Sequence, residues 1–226
     1  MQRLAFLFIF GLGGAAILIS LGVWQMQRLA WKEAILADIE ARIAADPVPL
    51  PAQPDPQTDA YLPVSATGIV GTGILRVLVS RKEIGAGYRI IQPLITGSRT
   101  ILVDRGFVAV DIDLPVPTDG AVEQTIVGNL QWPNETDSYT PAPDLKNNVW
   151  FARDVPAMAA ALGTEPILIV QRETSQSNSI VTPFPVDTSA IPNDHLQYAI
   201  TWFSLAAVWL AMTAHFLRRP RDTKRS

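Results

Sequence analysis

The sequence predicts an α+β membrane protein, with two transmembrane helices flanking a small antiparallel β-sheet or barrel domain that carries one short helix. Three observations lead there. Leu4 to Val23 and Tyr198 to Leu217 are each runs of 20 residues without Asp, Glu, Lys or Arg, long enough to cross a hydrocarbon core of roughly 30 Å. Between them lie short segments rich in Val, Ile and Leu, bounded by Gly, Pro, Asp or Asn, which is the pattern of strands and turns. Their short connections lack βα alternation, which favours antiparallel pairing.

The chain has 226 residues, enough for one domain of ordinary size plus anchors. Residues 1–3 are read as a cytoplasmic N-terminus and 4–23 as the first span. Arg3 gives this run the basic start of a signal peptide, but the apolar stretch is long and no small-x-small cleavage site follows it. Instead comes Trp24-Gln25-Met26-Gln27-Arg28-Leu29-Ala30-Trp31-Lys32, whose two tryptophans and two cations suit a membrane interface. The span is therefore expected to remain as an anchor. Its helix continues through residues 24–45, where Trp24, Trp31, Ile35, Ile39 and Ile43 recur at intervals of seven and four and share a face. Lys32, Glu33, Asp38, Glu40 and Arg42 take the other side. That mixed charge favours a helix packing its apolar stripe on the next domain over one lying on a membrane surface.

Residues 46–60 form a proline-rich linker. Asp46-Pro47-Val48-Pro49-Leu50-Pro51-Ala52-Gln53-Pro54-Asp55-Pro56 loses amide donors and has φ fixed at each proline, so an extended spacer is expected, ahead of a recognition peptide. The β-rich domain spans 61–192. Strands are expected at Tyr61–Val70, Gly73–Ser80, Tyr88–Ile95, Thr100–Val110, Glu123–Gln131 and Pro166–Arg172. Gly71-Thr72-Gly73 is a tight connection, Thr96-Gly97-Ser98-Arg99 a hairpin turn, and Asp111–Gly120 a polar, proline-bearing loop. The short helix covers Asp154 to Leu162, with Asp154 as N-cap, Pro156 in the first turn and Gly163 as its stop.

Residues 193–217 are the second span with its cap, and 218–226 a tail with five cations against one acid. The positive-inside rule puts that tail in the cytoplasm. Two spans put the N-terminus there too and the central domain in the periplasm, across the bacterial inner membrane. Arg28 and Lys32 argue mildly the other way and are outweighed by the tail. Residues 24–197 carry 20 acidic and 12 basic side chains, a balance that argues against nucleic acid as a partner of this domain.

The composition excludes much chemistry. There are no cysteines, hence no thiol redox centre, iron–sulfur cluster, c-type haem attachment or thiolate copper site. Four scattered methionines do not make a thioether copper site. Two histidines, His195 and His215, cannot form a three-His zinc site, and neither has a partner at i+3 or i+4. No nucleophile elbow, phosphate loop or dinucleotide fingerprint occurs. Gly11-Leu12-Gly13-Gly14 lies inside the first span, where small residues permit close helix contact. A membrane-bound hydrolase using His195 would need an activated serine that the sequence does not reveal. Asp104-Arg105-Gly106 has two readings: an anion- or carbonyl-binding turn, or an ion pair closing a strand, the commoner use of such charges.

Several segments, taken in order, carry a resemblance. They are Leu21-Gly22-Val23-Trp24-Gln25-Met26-Gln27-Arg28-Leu29-Ala30-Trp31-Lys32, Pro47-Val48-Pro49-Leu50-Pro51, Gly87-Tyr88, Ile101-Leu102-Val103-Asp104-Arg105-Gly106-Phe107-Val108, Val149-Trp150-Phe151-Ala152-Arg153-Asp154 and Asn193-Asp194-His195-Leu196-Gln197-Tyr198-Ala199-Ile200-Thr201-Trp202-Phe203. Over nearly its whole length the chain resembles the surfeit-locus cytochrome c oxidase assembly family. The resemblance implies a non-enzymatic assembly factor for the haem–copper oxidase, acting while haem a enters the catalytic subunit. Its implied partners are that subunit, the haem a synthesis machinery and the lipid bilayer. Where the family often has Asn before the Arg-Gly pair and Trp after it, this chain has Asp104 and Phe107, so no role for that turn is carried over. A cofactor-free chaperone or interaction protein for an oxidase subunit is the alternative.

Within that frame His195 is the candidate axial ligand to haem iron. Asn193 or Asp194 suits an N-cap, which places His195 in the first turn of the helix. Trp202 stands two turns on, about 10 Å away on nearly the same face, with Tyr198 and Ala199 between them, so a flat macrocycle flanked by Trp202 is sterically reasonable. The competing reading makes His195 a helix-capping residue at the interface and Trp202 an ordinary membrane aromatic. His215 lies about 30 Å further along the helix, which removes it as a second ligand.

Overall fold

The structure, a computed structural model, describes residues 2–81, 85–112, 122–175, 180–189 and 191–218. Met1, most of the loop expected at 111–120 and the basic tail beyond Arg218 lie outside the described residues. The chain divides into two compact units, residues 1–38 with 188–226, and residues 39–187.

The first unit is helical. Helix α1 (Gln2–Ala44) runs 43 residues without a break, and its last turns belong to the second unit. Helix α3 (His195–Arg218) has 24 residues. No proline interrupts either sequence, and both are long and apolar enough to cross a membrane. Small residues make the seam between them: Gly11, Ala15 and Gly22 of α1 are buried, as are Ala199 and Ala206 of α3. Outward-facing positions instead carry large apolar side chains such as Phe6, Ile9, Ile17, Ile200 and Val208.

The second unit is a mixed eight-stranded sheet with one helix. Its strands are β1 (Val48–Pro49), β2 (Pro63–Val70), β3 (Leu75–Arg81), β4 (Gly85–Thr96), β5 (Arg99–Ala109), β6 (Glu123–Leu130), β7 (Val149–Trp150) and β8 (Leu168–Thr174), in spatial order β1-β2-β6-β8-β5-β4-β3-β7. The expectation of an antiparallel sheet or barrel is corrected on both counts. β1 with β2, β3 with β7 and β5 with β8 pair in parallel. The curled sheet lets β2 meet β4 at Ile69↔Ile95 and Val70↔Leu94, yet it stays a sheet with β1 and β7 at its edges, not a barrel. The parallel β5–β8 pair becomes possible because, after β7 at the far edge, the chain passes through helix α2 (Val155–Leu162) and returns in the direction of β5.

Apolar side chains fill both faces. On one face Leu75, Val77, Ile91, Leu102, Leu168 and Val170 pack against Val155, Met158 and Ala159 of α2. On the other, Val64, Leu94, Ile101, Val103, Ile126, Leu130 and Ile169 close on one another. Adjacent residues Ile101 and Leu102 thus serve opposite cores, which explains the unbroken apolar run in β5. Helix α2 keeps the expected signals. The Asp154 carboxylate accepts the Ala157 amide at 3.0 Å, and Gly163 takes the left-handed conformation (φ 66°) that ends the helix.

Two expectations about the approach to this unit change. The proline-rich segment is tied to the sheet through β1, and the Leu50 amide donates to Ser65 O at 3.2 Å. Proline lacks the amide for an inner strand, so it sits at the sheet edge. Of the apolar stripe on α1, Ile43 packs on the α2-side core, whereas Trp24 and Trp31 are each 51% exposed. The Arg28 guanidinium lies 4.3 Å above the Trp31 ring, a cation–π contact that keeps the indole outward.

Candidate functional site

In the helical unit α1 and α3 run antiparallel, and glycines set their approach. A Cβ on Gly11 would strike the Thr213 methyl, one on Gly14 would lie 2.6 Å from Trp209 Nε1, and one on Gly22 would lie 2.6 Å from the Phe203 ring. Close backbones permit a polar link: the Trp209 indole N–H donates to Gly11 O at 2.9 Å. The hydroxyls of Thr201 and Thr213 donate back to carbonyls one turn earlier, at 2.9 and 2.8 Å. Each polar atom is thereby satisfied without water, as an apolar surrounding demands.

This seam ends at His195. The Asp194 carbonyl accepts the Tyr198 amide at 3.1 Å, which makes Asp194 the cap position and His195 the first residue of α3. His195 is half-buried, and its Nδ1 lies 2.8 Å from Oε1 of Gln25 on α1. Gln25 is itself only 8% exposed. Among the described residues no partner is recorded for His195 Nε2.

Trp202 is half-buried on the same seam, but the space between it and His195 is not open. Ala199 is 1% exposed because α1 covers that stripe. Tyr198, one position earlier, points outward at 55% exposure. A flat ligand on His195 Nε2 would therefore have to lie outside the helix pair, where only the exposed part of Trp202 could meet it. His215 is exposed and stacks edge-on with Phe216 at 5.8 Å. No group of three His, Asp or Glu able to hold a metal ion occurs among the described residues.

Two of the quoted segments, through Asp104 and Arg153, meet Arg89 in a second cluster, inside the sheet unit. Asp104 is fully buried, with Arg89 at 2.5 Å and Arg153 at 3.7 Å from the same carboxylate oxygen. Its other oxygen accepts the Gly106 amide at 3.1 Å. Gly106 has φ +123°, and Arg105 is the extra residue of a bulge opposite Ile90 and Ile91, a kink that only glycine follows without strain. Arg153 also forks onto Glu135 and donates to Gln131 at 2.8 Å, while Arg89 lies 4.0 Å over the Phe184 ring and donates to Phe184 O. The Asp104 turn is thus an ion-paired strand element. Arg105 is different: it is 7% exposed and its Nε has no partner among the described residues.

The charges set the acid–base behaviour. Burial pushes the Asp104 carboxyl up, against the lowering pull of Arg89 and Arg153. Burial acts the same way on Glu135, but its hydrogen bonds and charge contact with Arg153 outweigh it and hold this carboxyl below the usual range.

The ordered segments occupy coherent places in both units, and comparison with known proteins agrees. The SURF1 family model matches residues 12–207. This chain belongs to the SURF1 family. Surfeit locus protein 1 of Rattus norvegicus is 30% identical over 211 residues, covering 83% of this chain and 68% of the rat protein. SURF1-like proteins of Rickettsia felis and Rickettsia conorii are 33% and 32% identical, covering 84% and 90% of this chain and 87% and 88% of their own. The SURF1 match covers most of α1, the sheet unit and the first half of α3, so Gln25, the Asp104 cluster and His195 all lie inside it. Sequence reasoning singled out His195 and Trp202 but passed over Gln25, although both carry the marks of the same seam: Gln25 stands three residues after Gly22 and is a polar residue next to an apolar span.

Proposed function

We propose that the chain is a membrane-anchored, non-enzymatic assembly factor for the haem–copper cytochrome c oxidase, holding haem a through His195 and passing it to the catalytic subunit. Family membership supports the assembly role. The half-buried imidazole with one nitrogen engaged and Nε2 without a partner supports the ligand role, because the donor set fits haem iron. When bound, haem a would supply an iron that takes an imidazole nitrogen. His195 would hold it through Nε2, and Trp202 would offer an aromatic edge to the macrocycle. A single protein nitrogen would leave the group releasable, which is what delivery requires.

Both long helices cross the inner membrane in this reading. Their outward faces carry Ile9, Phe10, Val208 and Phe216, side chains that lipid solvates better than water. The basic tail puts both termini in the cytoplasm and the acidic sheet unit in the periplasm, where it meets the oxidase subunit and the haem a synthesis machinery. Expression of the oxidase with and without this chain tests the role. The account expects more haem a per catalytic subunit when the chain is present. Equal occupancy at equal haem a supply would contradict it.

A further inference from the structure

A neutral imidazole carries one N–H, and the partner of one ring nitrogen decides what the other can do. In this protein Nδ1 of His195 meets an amide oxygen, Gln25 Oε1, at 2.8 Å. With the amide oxygen of Gln25 facing it, Nδ1 is the nitrogen that holds the proton and donates it. Nε2 then keeps its lone pair.

The position of Gln25 gives that bond force. It lies on the seam of α1 three residues after Gly22, where the Phe203 ring packs against the glycine and fixes the register of α3. At 8% exposure its side chain has little access to water, and a buried amide without a partner is costly. The contact also joins two segments far apart in the sequence, with Gln25 and His195 170 positions apart.

We propose that Gln25 is the positioning residue of the His195 site, its side-chain oxygen locking the Nδ1–H tautomer so that Nε2 is the nitrogen presented to haem iron. The proposal rests on the ligand reading of His195 for its purpose, but the tautomer itself is a property of the haem-free protein. Metal-bound histidines commonly donate their second N–H to an oxygen, which orients the ring and raises its basicity. Loss of such a partner weakens metal binding about 10- to 100-fold.

The test is nitrogen NMR of the full chain, labelled with ¹⁵N-histidine and ¹⁵N-tryptophan and held haem-free in lipid nanodiscs. A His215→Gln background leaves His195 as the sole reporter. The expected spectrum shows a protonated Nδ1 and an unprotonated Nε2. Gln25→Leu should lose that preference, whereas Gln25→Glu, whose carboxylate also accepts, should keep the proton on Nδ1. The Trp209 indole N–H resonance, bonded to Gly11 O, reports whether the helix pair is intact in each variant. An Nε2–H tautomer in the unsubstituted Gln25 protein would overturn the proposal without any variant, as would a tautomer unmoved by Gln25→Leu in an intact helix pair. With haem a added, Gln25→Leu should raise the dissociation constant 10- to 100-fold and Gln25→Glu should not. Because the tautomer is read without haem, a wrong tautomer sinks the role of Gln25. A correct tautomer with no haem binding by any variant sinks the ligand reading instead, and with it the purpose assigned to Gln25.

Discussion

Asp104 illustrates how much one buried side chain carries. Two guanidinium groups, Arg89 and Arg153, face a carboxylate with no exposure. Asp104→Asn keeps the shape but leaves both cations without their shared counter-charge. Breaking a buried ion pair from one side costs about 3–5 kcal/mol, so this variant should lose that much stability in chemical denaturation monitored by circular dichroism. A loss under 1 kcal/mol would show the cluster to be incidental. Glu135 gives a pH-dependent case. Its folded carboxyl titrates below the usual range, so its contribution is complete above the ordinary glutamate value and fades as pH falls through the lower, folded value. Glu135→Gln should therefore be less stable than wild type at neutral pH, with the gap closing in acid. A gap constant across that range would contradict the Arg153 pairing. In the sequence Asp104 stayed open between two roles, because sheet register and a loop, not local spacing, bring Arg89 and Arg153 to it. Gln25 was missed for the same reason, since its partner lies at the far end of the chain.

At the scale of elements, the helix pair is held by close approach at glycine. Gly11→Leu would drive a branched side chain into Thr213 and break the Trp209 bond to Gly11 O. Trp209→Phe removes the bond, worth about 0.6 kcal/mol inside membrane helix pairs, and trims the ring packed on Gly14. In a detergent titration of unfolding, Gly11→Leu should shift the midpoint well beyond the small shift of Trp209→Phe. Equal small shifts would mean that the seam does not depend on Gly11. Much of this level was legible from pattern. The uncharged runs gave both long helices, alternating and continuous apolar segments gave six strands, and Asp154 and Gly163 bounded α2. What escaped was pairing direction and the shortest strands. β1 and β7 have two residues each, too few for any period, and the parallel β5–β8 contact depends on a return path through α2. The outward turn of Trp24 and Trp31 escaped too, because spacing groups residues on a face without saying what that face meets.

At the scale of the whole molecule, the proposal is a delivery device: two spans that present an imidazole at one edge of the lipid, and a sheet unit for contact with the oxidase. Its orientation can be read chemically because the chain has no cysteine. Tyr139→Cys, at a position 90% exposed on the sheet unit, should react with a membrane-impermeant maleimide in spheroplasts. Reaction only after the inner membrane is broken would reverse the topology. The most direct measurement for the account as a whole is the haem content and absorption spectrum of the purified protein from cells making haem a. The account predicts a haem a band in the wild-type protein that is lost in His195→Ala while the sheet unit keeps its circular dichroism. A wild-type protein without haem, or a His195→Ala protein with haem retained and an unchanged spectrum, would contradict it.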